Sequence, residues 1–310
     1  MHVLVYGTGA VGGYFGALCA RGGHEVTLVA RGANLAALRD AGLRVVMPDP
    51  ATSIHVPGVR AVERPADAPP ADLVLVCVKS YDTRTAVDIL RPVVTPDTTI
   101  LSLQNGVENE AILAEGLGLP PLLVGLTRIG VELTAPGTVL YSGRGEILFG
   151  EPDGHESPRA RRLAEALAAA GIPHQLRRDV LVTAWEKLAW NAGFNAVSTL
   201  TDATVREVLA LPTSRDLVVR AMEEVDAVAT ARGIAVRRRR TQAVLDDSLS
   251  GLPDFPTSML QDRRRNRRLE HDAINGAVVR AAHRAGVSVP VNAILLALLD
   301  RLDPWSRRQS

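Results

Sequence analysis

A lysine and three short polar side chains recur at helical spacing in the second half of the chain. Positions i, i+4, i+8 and i+11 of a helix fall within one narrow face. Here they are occupied by Lys187, Asn191, Asn195 and Ser198. A buried lysine beside asparagines can protonate a developing alkoxide while the amides hold oxygen atoms in place. The same stripe also fits an exposed lysine with two capping or interhelical amides, and the spacing leaves both interpretations open.

A glycine-rich turn lies at the other end of the chain. The apolar run His2–Tyr6 is typical of a strand, and it is followed by the Gly-x-Gly-x-x-Gly pattern of Gly7, Gly9, Ala10, Val11 and Gly12. Such glycines let the backbone bend tightly and approach a pyrophosphate, which then binds at the N-terminus of the next helix. The flanking strand and helix favour a dinucleotide site over a tight turn without a ligand.

The second strand indicates which dinucleotide binds. NAD sites usually place an acidic residue at its end, but the run Val26–Ala30 ends here in Arg31. A guanidinium can fork onto a 2′-phosphate, so the sequence predicts NADP rather than a solvated surface arginine. Lys79 follows a third apolar run and is expected along the same carboxyl edge of the sheet.

Three other residues have useful chemistry in ambiguous settings. Asn105 precedes a glycine, which commonly marks a turn, yet its place after a strand predicts an amide near the nicotinamide. Ser258 lies near the start of a helix and could simply cap it or form part of its first turn. Glu270 follows a basic run and could pair with Asn266 or Arg267.

The elements that must position these residues change in type along the chain. The first part alternates strands and helices, as in an α/β fold with a parallel sheet, and the second part is helical. We therefore predict an α/β dinucleotide-binding domain at residues 1–178 and a helical domain at residues 179–310. The predicted strands of the first domain are His2–Tyr6, Glu25–Ala30, Leu73–Val78 and Thr99–Leu103, with antiparallel additions to the sheet within 122–150. Its predicted helices are Ala10–Gly22, Asn34–Ala41, Asp82–Leu90 and Ser157–Ala170; those of the second are Leu181–Thr199, Ser214–Arg232, Thr241–Ser248, Met259–Ala285 and Asn292–Leu302.

Composition narrows the class of protein. The 310 residues carry 35 basic and 34 acidic side chains, so the net charge of +1 gives no general attraction to nucleic acid or membranes. The arginine runs 237–240 and 263–268 are expected on solvated helix faces, paired with acidic residues. Cys19 and Cys77 lie in apolar runs and are expected to be packed, reduced thiols in a cytoplasmic protein, without a disulfide or metal. The apolar first 20 residues lack a basic start and contain glycines, so they do not resemble a signal peptide.

Taken together, these segments resemble the ketopantoate reductase family (2-dehydropantoate 2-reductases). The matching segments run in order from residue 1 to about residue 295: GTGAVGGYFGA with Arg31, LVLVCVKS, LSLQNGVEN, AWEKLAWNAGFN, PTSMLQD, LEHDAINGAVV and GVSVPVN. The first is common to dinucleotide-binding proteins. The lysine–asparagine run and the pair of segments around Ser258 and Glu270 are much more specific.

The resemblance implies a Rossmann-like domain followed by a helical one, and NADPH-dependent reduction of a small 2-oxo acid. The expected reaction converts 2-dehydropantoate to pantoate, a step of pantothenate biosynthesis. It implies that Lys187 is the general acid, that Glu270 holds a substrate hydroxyl and orients Lys187, and that Ser258 binds the substrate carboxylate. Asn191 and Asn195 would line the substrate pocket, Asn105 would lie between nicotinamide and substrate, and Arg31 and Lys79 would contact the adenine-ribose-phosphate. A homodimer through the helical domain is expected only by analogy.

Two departures from the family pattern leave the substrate open. Phe255 stands where relatives often carry a small or polar residue, and Arg128 is unusual after its strand. Either residue could change which 2-oxo acid fits. The alternatives are therefore a family reductase for another 2-oxo acid, an imine-forming or opine-type dehydrogenase, and a non-catalytic NADP-binding sensor.

Overall fold

The structure, a computed structural model, describes residues 1–120, 122–236 and 256–306. The chain forms two compact units. The N-terminal unit comprises Met1–Gln104 and Asn109–Val180, and the helical unit comprises Asn105–Glu108 with Leu181–Ser310. The short segment Asn105–Glu108 (the asparagine segment) thus belongs with the helices, although it directly follows a strand in sequence.

The N-terminal unit contains two sheets. Its strands in chain order are β1 His2–Tyr6, β2 Glu25–Val29, β3 Leu43–Val46, β4 Ile54–Val56, β5 Arg60–Val62, β6 Leu73–Val76, β7 Thr99–Ser102, β8 Val124–Ala135, β9 Thr138–Gly150 and β10 His174–Leu176. The first sheet has the order β5-β2-β1-β6-β7, and all of its neighbours are parallel. Its central strands are buried on both faces, which explains their continuous apolar sequence. The predicted α/β architecture with a parallel sheet is confirmed.

The prediction that residues 122–150 extend this parallel sheet is wrong. β8 and β9 pair with each other as a long antiparallel ribbon, and β9 pairs in parallel with β3 and β10 to form a second sheet. The order of that sheet is β10-β9-β3-β4, with β8 on β9. The short strands β3 and β4 carry no strong sequence signal, so nothing in the sequence indicated a second sheet for the ribbon to join.

The helices of the N-terminal unit follow the predicted alternation. They cover Ala10–Arg21, Gly32–Ala41, Thr83–Leu90, Asn109–Leu117 and Pro158–Ala169, with short 3-10 helices at Pro50–Thr52, Pro65–Asp67 and Ser80–Asp82. The last α-helix begins as predicted: the Ser157 side chain accepts a hydrogen bond from the Ala160 amide, and Pro158 takes the first helical position. Ser157 also donates to Glu151, a buried carboxylate that receives two hydrogen bonds from Arg159.

The helical unit has its own core, formed by apolar faces around Phe194, Val218 and Val278. Its α-helices cover Val180–Trp190, Ala196–Thr201, Val205–Ala210, Pro212–Ala231, Ser258–Arg264, Ala277–Ala285 and Pro290–Leu302. Two π-helical turns lie among them, the first at Asn191–Asn195 and the second at Asp272–Gly276. None of the described helices is long and apolar enough to span a membrane.

Two predicted helices of this unit are interrupted. The expected helix Leu181–Thr199 contains the first π-turn, so its later residues do not keep the α-helical phase. The expected helix Met259–Ala285 ends at Arg264 because Asn266 adopts the left-handed conformation, with φ of 52°. The predicted helix Thr241–Ser248 lies outside the described residues.

Candidate active site

The glycine turn joins β1 to the helix Ala10–Arg21, and two of its glycines are required by the protein's own packing. Gly7 has φ of +99°, and a Cβ there would lie 2.6 Å from the Val78 amide nitrogen. A Cβ on Gly12 would lie 2.3 Å from the carbonyl oxygen of Gly7. Larger residues at either position would therefore force the turn open.

Gly9 is different, because nothing in the described structure requires a glycine there. Its φ is −84°, and a Cβ built on it meets no atom within 4 Å. Gly9 is the N-cap of the helix, and no side chain caps the helix end there. The missing side chain therefore leaves open space in front of exposed amides, beside the half-buried Ala10 and Val11, which fits a dinucleotide pyrophosphate.

Asn34 holds the glycine turn in place and was not predicted from the sequence. Its Nδ2 donates to the Thr8 carbonyl at 2.7 Å, and its Oδ1 accepts from the Gly137 amide at 2.7 Å. Thr8 itself bonds to the carbonyl of Val29 through both its amide and its hydroxyl. A polar side chain in the first turn of the second helix was the signal available in the sequence.

Arg31 lies where the prediction required it, at the end of β2 and directly before the helix Gly32–Ala41. The residue is exposed and extended, with φ of −134°. Burial raises the pKa of Tyr6 at the end of β1, while the positive charge of Arg31 opposes that shift and the charge of Asp82 adds to it. The guanidinium is therefore within electrostatic range of the carboxyl edge of the sheet.

Lys79 follows β6 at the same edge. The side chain is half-buried, and the Lys79 carbonyl accepts a hydrogen bond from Gln104 Nε2 at 3.4 Å. Gln104 also donates to the Thr83 hydroxyl at 2.9 Å and accepts from Ser102 at 3.1 Å. This buried network fixes the loop that carries Lys79, and it explains the polar residues that follow the apolar strand β7.

In the helical unit, Lys187 lies in the last turn of the helix Val180–Trp190 and is half-buried. The first π-turn follows at once and carries Asn191, 6% exposed, and Asn195, 1% exposed. Asn195 Oδ1 has no hydrogen-bond partner among the described residues. Gly193 lets this turn approach a neighbouring helix, since a Cβ there would lie 3.0 Å from the Val218 carbonyl oxygen.

The predicted single polar face must be corrected at Ser198. Ser198 is fully buried, donates to the carbonyl of Ala203 and accepts from the Thr257 hydroxyl at 3.3 Å. It therefore ties the chain together and does not belong to a wet face. The π-turn explains the difference, because its i→i+5 bonding shifts the residues that follow out of α-helical phase.

A chain of buried amides supports the first π-turn, and it was also missed. Asn275 Nδ2 donates to the Ala192 carbonyl at 3.0 Å and to Asn292 Oδ1 at 3.1 Å. Asn292 Nδ2 donates to the Ala221 carbonyl at 3.0 Å and to Glu224 at 2.8 Å. Asn275 and Asn292 are fully buried, so these bonds form in a weakly screened setting where losing one is costly.

The structure brings Asn105 and Glu270 together. Asn105 Nδ2 donates to Glu270 Oε2 at 3.2 Å, although the two residues are 165 positions apart. Glu270 is 6% exposed, and its neighbours are anchored: the Leu269 amide donates to Asp303, and His271 Nε2 lies 2.8 Å from Asp300.

Ser258 is the first residue of its helix and is exposed. The cap of that helix is Thr257, whose side chain accepts from the Leu260 amide at 3.3 Å. Ser258 is therefore not the cap, and the alternative that it forms part of the first turn is confirmed.

Other arginines singled out in the sequence have partners of their own. Arg263 donates to the Thr199 carbonyl, and Arg264 pairs with Asp202 at 2.8 Å. Arg128 pairs with Glu146 across the β8–β9 ribbon at 3.6 Å. Residues 237–240 and Phe255 lie outside the described residues.

The two cysteines are unlinked thiols. Burial raises the pKa of Cys19 to about 12 and also raises the pKa of Cys77. Both thiols therefore remain protonated at neutral pH.

Comparison with known proteins defines the class. The sequence profile "Ketopantoate reductase PanE/ApbA" matches residues 3–154, and "Ketopantoate reductase PanE/ApbA C terminal" matches residues 179–303. The chain therefore belongs to the ketopantoate reductase family and is a pyridine-nucleotide-dependent oxidoreductase.

Individual relatives agree with this assignment. The 2-dehydropantoate 2-reductase of Halobacterium salinarum is 34% identical, over 96% of this chain and 98% of its own length. The ketopantoate reductase structure from Ralstonia eutropha JMP134 superposes with a TM-score of 0.90 at 32% identity, covering 99% of this chain and 100% of the other. D-mandelate dehydrogenase, solved with NADH and anilino(oxo)acetate, has a TM-score of 0.92 and covers 99% and 100% of the two chains. At 22% identity, this last likeness shows the fold alone.

Proposed function

We propose that this chain reduces 2-dehydropantoate to pantoate with NADPH, and that Lys187 is the general acid. The observation that carries the proposal is the hydrogen bond between Asn105 and Glu270, 3.2 Å long. It joins two polar residues from remote segments in the same unit as Lys187. The relatives named 2-dehydropantoate 2-reductase support this choice of substrate.

The turn of Gly7, Gly9 and Gly12 fits the cofactor because a Cβ on Gly9 would meet no atom within 4 Å. These residues would hold the pyrophosphate, and Arg31 and Lys79 would bind the adenine-ribose-phosphate. When bound, NADPH supplies a hydride to the C2 carbonyl carbon of the acid. No acidic residue ends β2, so nothing there repels a 2′-phosphate.

Lys187 then supplies the proton. As hydride reaches C2, the carbonyl π-bond breaks and negative charge develops on oxygen. The Lys187 ammonium transfers a proton to that oxygen, which leaves a neutral amine and the 2-hydroxy acid. An arginine could not replace it, because a guanidinium does not give up its proton at neutral pH.

The composition of the chain is consistent with this role. Of the 35 basic Lys and Arg side chains, only Lys79 and Lys187 are lysines. Both belong to the proposed site.

The other polar residues orient the acid. Glu270 would accept a hydrogen bond from the substrate hydroxyl, and Asn105 would keep the Glu270 carboxylate in place. The exposed hydroxyl of Ser258 would donate to the substrate carboxylate. Asn191 and Asn195 would line the pocket from the first π-turn, and these roles follow from the family resemblance.

The first test measures NADPH oxidation with a panel of 2-oxo acids that includes 2-dehydropantoate. We expect 2-dehydropantoate to give the highest kcat/KM, and Lys187→Ala to lower kcat by roughly 100- to 10,000-fold. Lys187→Arg is the matched control for charge and should lose nearly as much. If no acid in the panel is reduced, the protein is better explained as an NADP-binding sensor. If another acid gives a higher kcat/KM than 2-dehydropantoate, that acid is the substrate.

The two-lysine composition offers a direct readout of Lys187. With isotopically labelled lysine, the ε-carbon spectrum contains two signals, and Lys187→Arg identifies one of them by removing it. Adding the oxo acid should shift that signal. If only the Lys79 signal moves, Lys187 does not contact the substrate and the assigned role is wrong.

The second test concerns the cofactor. Arg31→Ala should weaken NADPH by about 10- to 100-fold, the loss of a charge-assisted hydrogen bond, and should leave NADH nearly unchanged. Fluorescence titration of both cofactors measures this. Arg39 lies within the helix that Arg31 precedes and bonds to the Ala61 carbonyl, so Arg39→Ala is the control and should bind both cofactors normally. Equal losses for both cofactors would remove the 2′-phosphate assignment.

A further inference from the structure

One arginine of the helical unit holds two acidic residues from distant parts of the chain. Arg280 Nε and Nη2 donate to Glu108 Oε2 at 3.1 and 2.7 Å, a contact across 172 positions. The same guanidinium donates through Nη1 to Asp272 Oδ1 at 2.6 Å and through Nη2 to the Asp272 carbonyl at 3.0 Å. We call Glu108, Asp272 and Arg280 the arginine clasp.

Two residues of the clasp lie close in sequence to Asn105 and Glu270, whose hydrogen bond carries the proposed function. Glu108 lies three residues after Asn105 in the asparagine segment, and Asp272 lies two residues after Glu270. Asn105 and Glu270 are themselves joined at 3.2 Å. Because the backbone between these pairs is so short, movement at Glu108 or Asp272 must reach Asn105 or Glu270.

The second π-turn makes room for this arrangement. A Cβ on Gly276 would lie 2.6 Å from Asp272 Oδ1 and 3.1 Å from Arg280 Nη1, so the absent side chain lets the pair meet. Arg284 adds a hydrogen bond of 3.1 Å to the other oxygen of Glu108.

The clasp is better suited to positioning than to stabilising the fold. Partial burial lowers the pKa of Arg280, but the hydrogen bonds that it donates to Glu108 and Asp272 outweigh that effect and raise it. Arg280 and Asp272 are 40% and 72% exposed, and exposed ion pairs contribute little to stability. A planar guanidinium shared by two segments nevertheless fixes their geometry.

We propose that Arg280 is a positioning residue: by holding Glu108 and Asp272, it keeps the Asn105 amide against the Glu270 carboxylate. Its catalytic consequence rests on the function proposed above, whereas the clasp itself can be tested without any activity. Two experiments on the full-length protein separate the two claims.

The first experiment measures hydrogen exchange by mass spectrometry over a peptide that covers Asn105–Glu108. Arg280→Met should speed exchange there several-fold, because Glu108 loses both Arg280 bonds and keeps the single bond from Arg284. Gly276→Ala should act in the same direction, since its methyl group displaces the Asp272 carboxylate without removing either charge. Arg220→Met is the matched control, because Arg220 forms an exposed ion pair with Asp216 on another helix. Unchanged exchange in Arg280→Met would overturn the proposal that Arg280 holds this segment. If Arg280→Met does not fold, the exchange of Gly276→Ala decides the question in the same way.

The second experiment measures kinetics with the acid that the wild-type enzyme reduces. Arg280→Met should lower kcat about tenfold while the KM for NADPH stays unchanged, as expected from a misplaced group. In the Asn105→Ala background, Arg280→Met should cause no further loss. Independent, multiplicative losses would show a general structural role and overturn the proposal.

Arg280→Lys distinguishes shape from charge. Lysine keeps the positive charge but cannot fork between Glu108 and Asp272, so its kcat should resemble that of Arg280→Met. Wild-type kcat in Arg280→Lys would overturn the positioning role. If the wild-type protein reduces no acid, the proposed function fails, and the exchange experiment still decides whether the clasp exists.

Discussion

The N-terminal unit and the helical unit place their functional groups by different means. In the N-terminal unit, the glycine turn is one continuous stretch between β1 and its helix, and the backbone itself forms the proposed cofactor site. In the helical unit, the proposed groups are side chains from segments far apart in sequence, and Asn105 and Glu270 meet across 165 positions.

This difference determines how each region tolerates change. A backbone site depends on the absence of side chains, so one added methyl group can remove its function. A side-chain site depends on the contacts that hold its elements, such as the amide chain through Asn275 and Asn292. We therefore expect stability and function to separate at Gly9 of the N-terminal unit and to change together at the amide chain of the helical unit.

The largest expected effect is at the glycine turn. Gly12→Ala places a methyl group 2.3 Å from the Gly7 carbonyl oxygen, so it should reduce NADPH affinity by about 100-fold and also lower stability. Gly9→Ala meets no atom within 4 Å, so it should weaken NADPH at least roughly tenfold, with a stability cost of about 1 kcal/mol from the poorer cap.

Cofactor titration and denaturant unfolding of both glycine variants test this contrast. Wild-type NADPH affinity in Gly9→Ala would mean that the open space does not receive the pyrophosphate. The backbone at Gly9 would then not form the proposed cofactor site.

The next largest effect concerns the amide chain of the helical unit. Asn292→Ala removes three buried hydrogen bonds: those from Asn292 Nδ2 to the Ala221 carbonyl and to Glu224, and the one that Asn292 Oδ1 accepts from Asn275. Glu224 keeps the backbone amides of Val291 and Asn292, so the variant should lower the free energy of unfolding by about 3 kcal/mol, roughly 1 kcal/mol for each lost bond. It should also lower kcat, because the first π-turn loses its support. Asn275→Ala removes the bond to the Ala192 carbonyl but spares Glu224, so we expect a similar loss of kcat with a smaller loss of stability.

Urea unfolding and steady-state kinetics on the same preparations check this pair. Normal kcat in both variants would show that stability and function are separable in the helical unit as well.

The smallest effect is at a buried ion pair of the N-terminal unit. Burial alone would raise the pKa of Glu151, but hydrogen bonds from Arg159 and Ser157 outweigh it and lower the pKa below its ordinary 4.5. Glu151→Gln should therefore cost about 2 kcal/mol at neutral pH and leave kcat unchanged.

The pH dependence of that cost has a definite sign. A depressed pKa gives stability that is fully present above pH 4.5 and is lost as the pH falls through the folded-state value. The difference in unfolding free energy between wild type and Glu151→Gln should thus be constant near neutral pH and shrink in acid. A difference that grew in acid would contradict the assigned cause.

Much of the N-terminal unit could be predicted from sequence because its signals are local. Continuous apolar runs mark β1, β6 and β7, and the glycines follow β1 directly. The second sheet could not be predicted, since β4 has only three residues and β9 finds its partners through tertiary contacts.

The helical unit was less predictable for a physical reason. A π-turn has no strong sequence pattern, so the asparagines after Lys187 were assigned to a regular helix. The sequence suggested Asn266 or Arg267 as partners of Glu270, and its contact with Asn105 spans 165 positions, which no local pattern indicates. The bonds of Asn275 and Asn292 depend on how helices pack, and a single sequence does not record that.

The two π-turns also bear on how this protein can be engineered. Relative to an α-helix, each π-turn accommodates one extra residue, so deleting a single residue from Asn191–Asn195 would restore a regular helix. The side chains beyond the deletion would keep their direction, whereas the undeleted sequence on a regular helix would rotate each of them by about 100° around the axis. Transplanting these asparagines onto an ideal helical scaffold would misdirect them in the same way. A designer must therefore copy the irregular turn together with the residues that it carries.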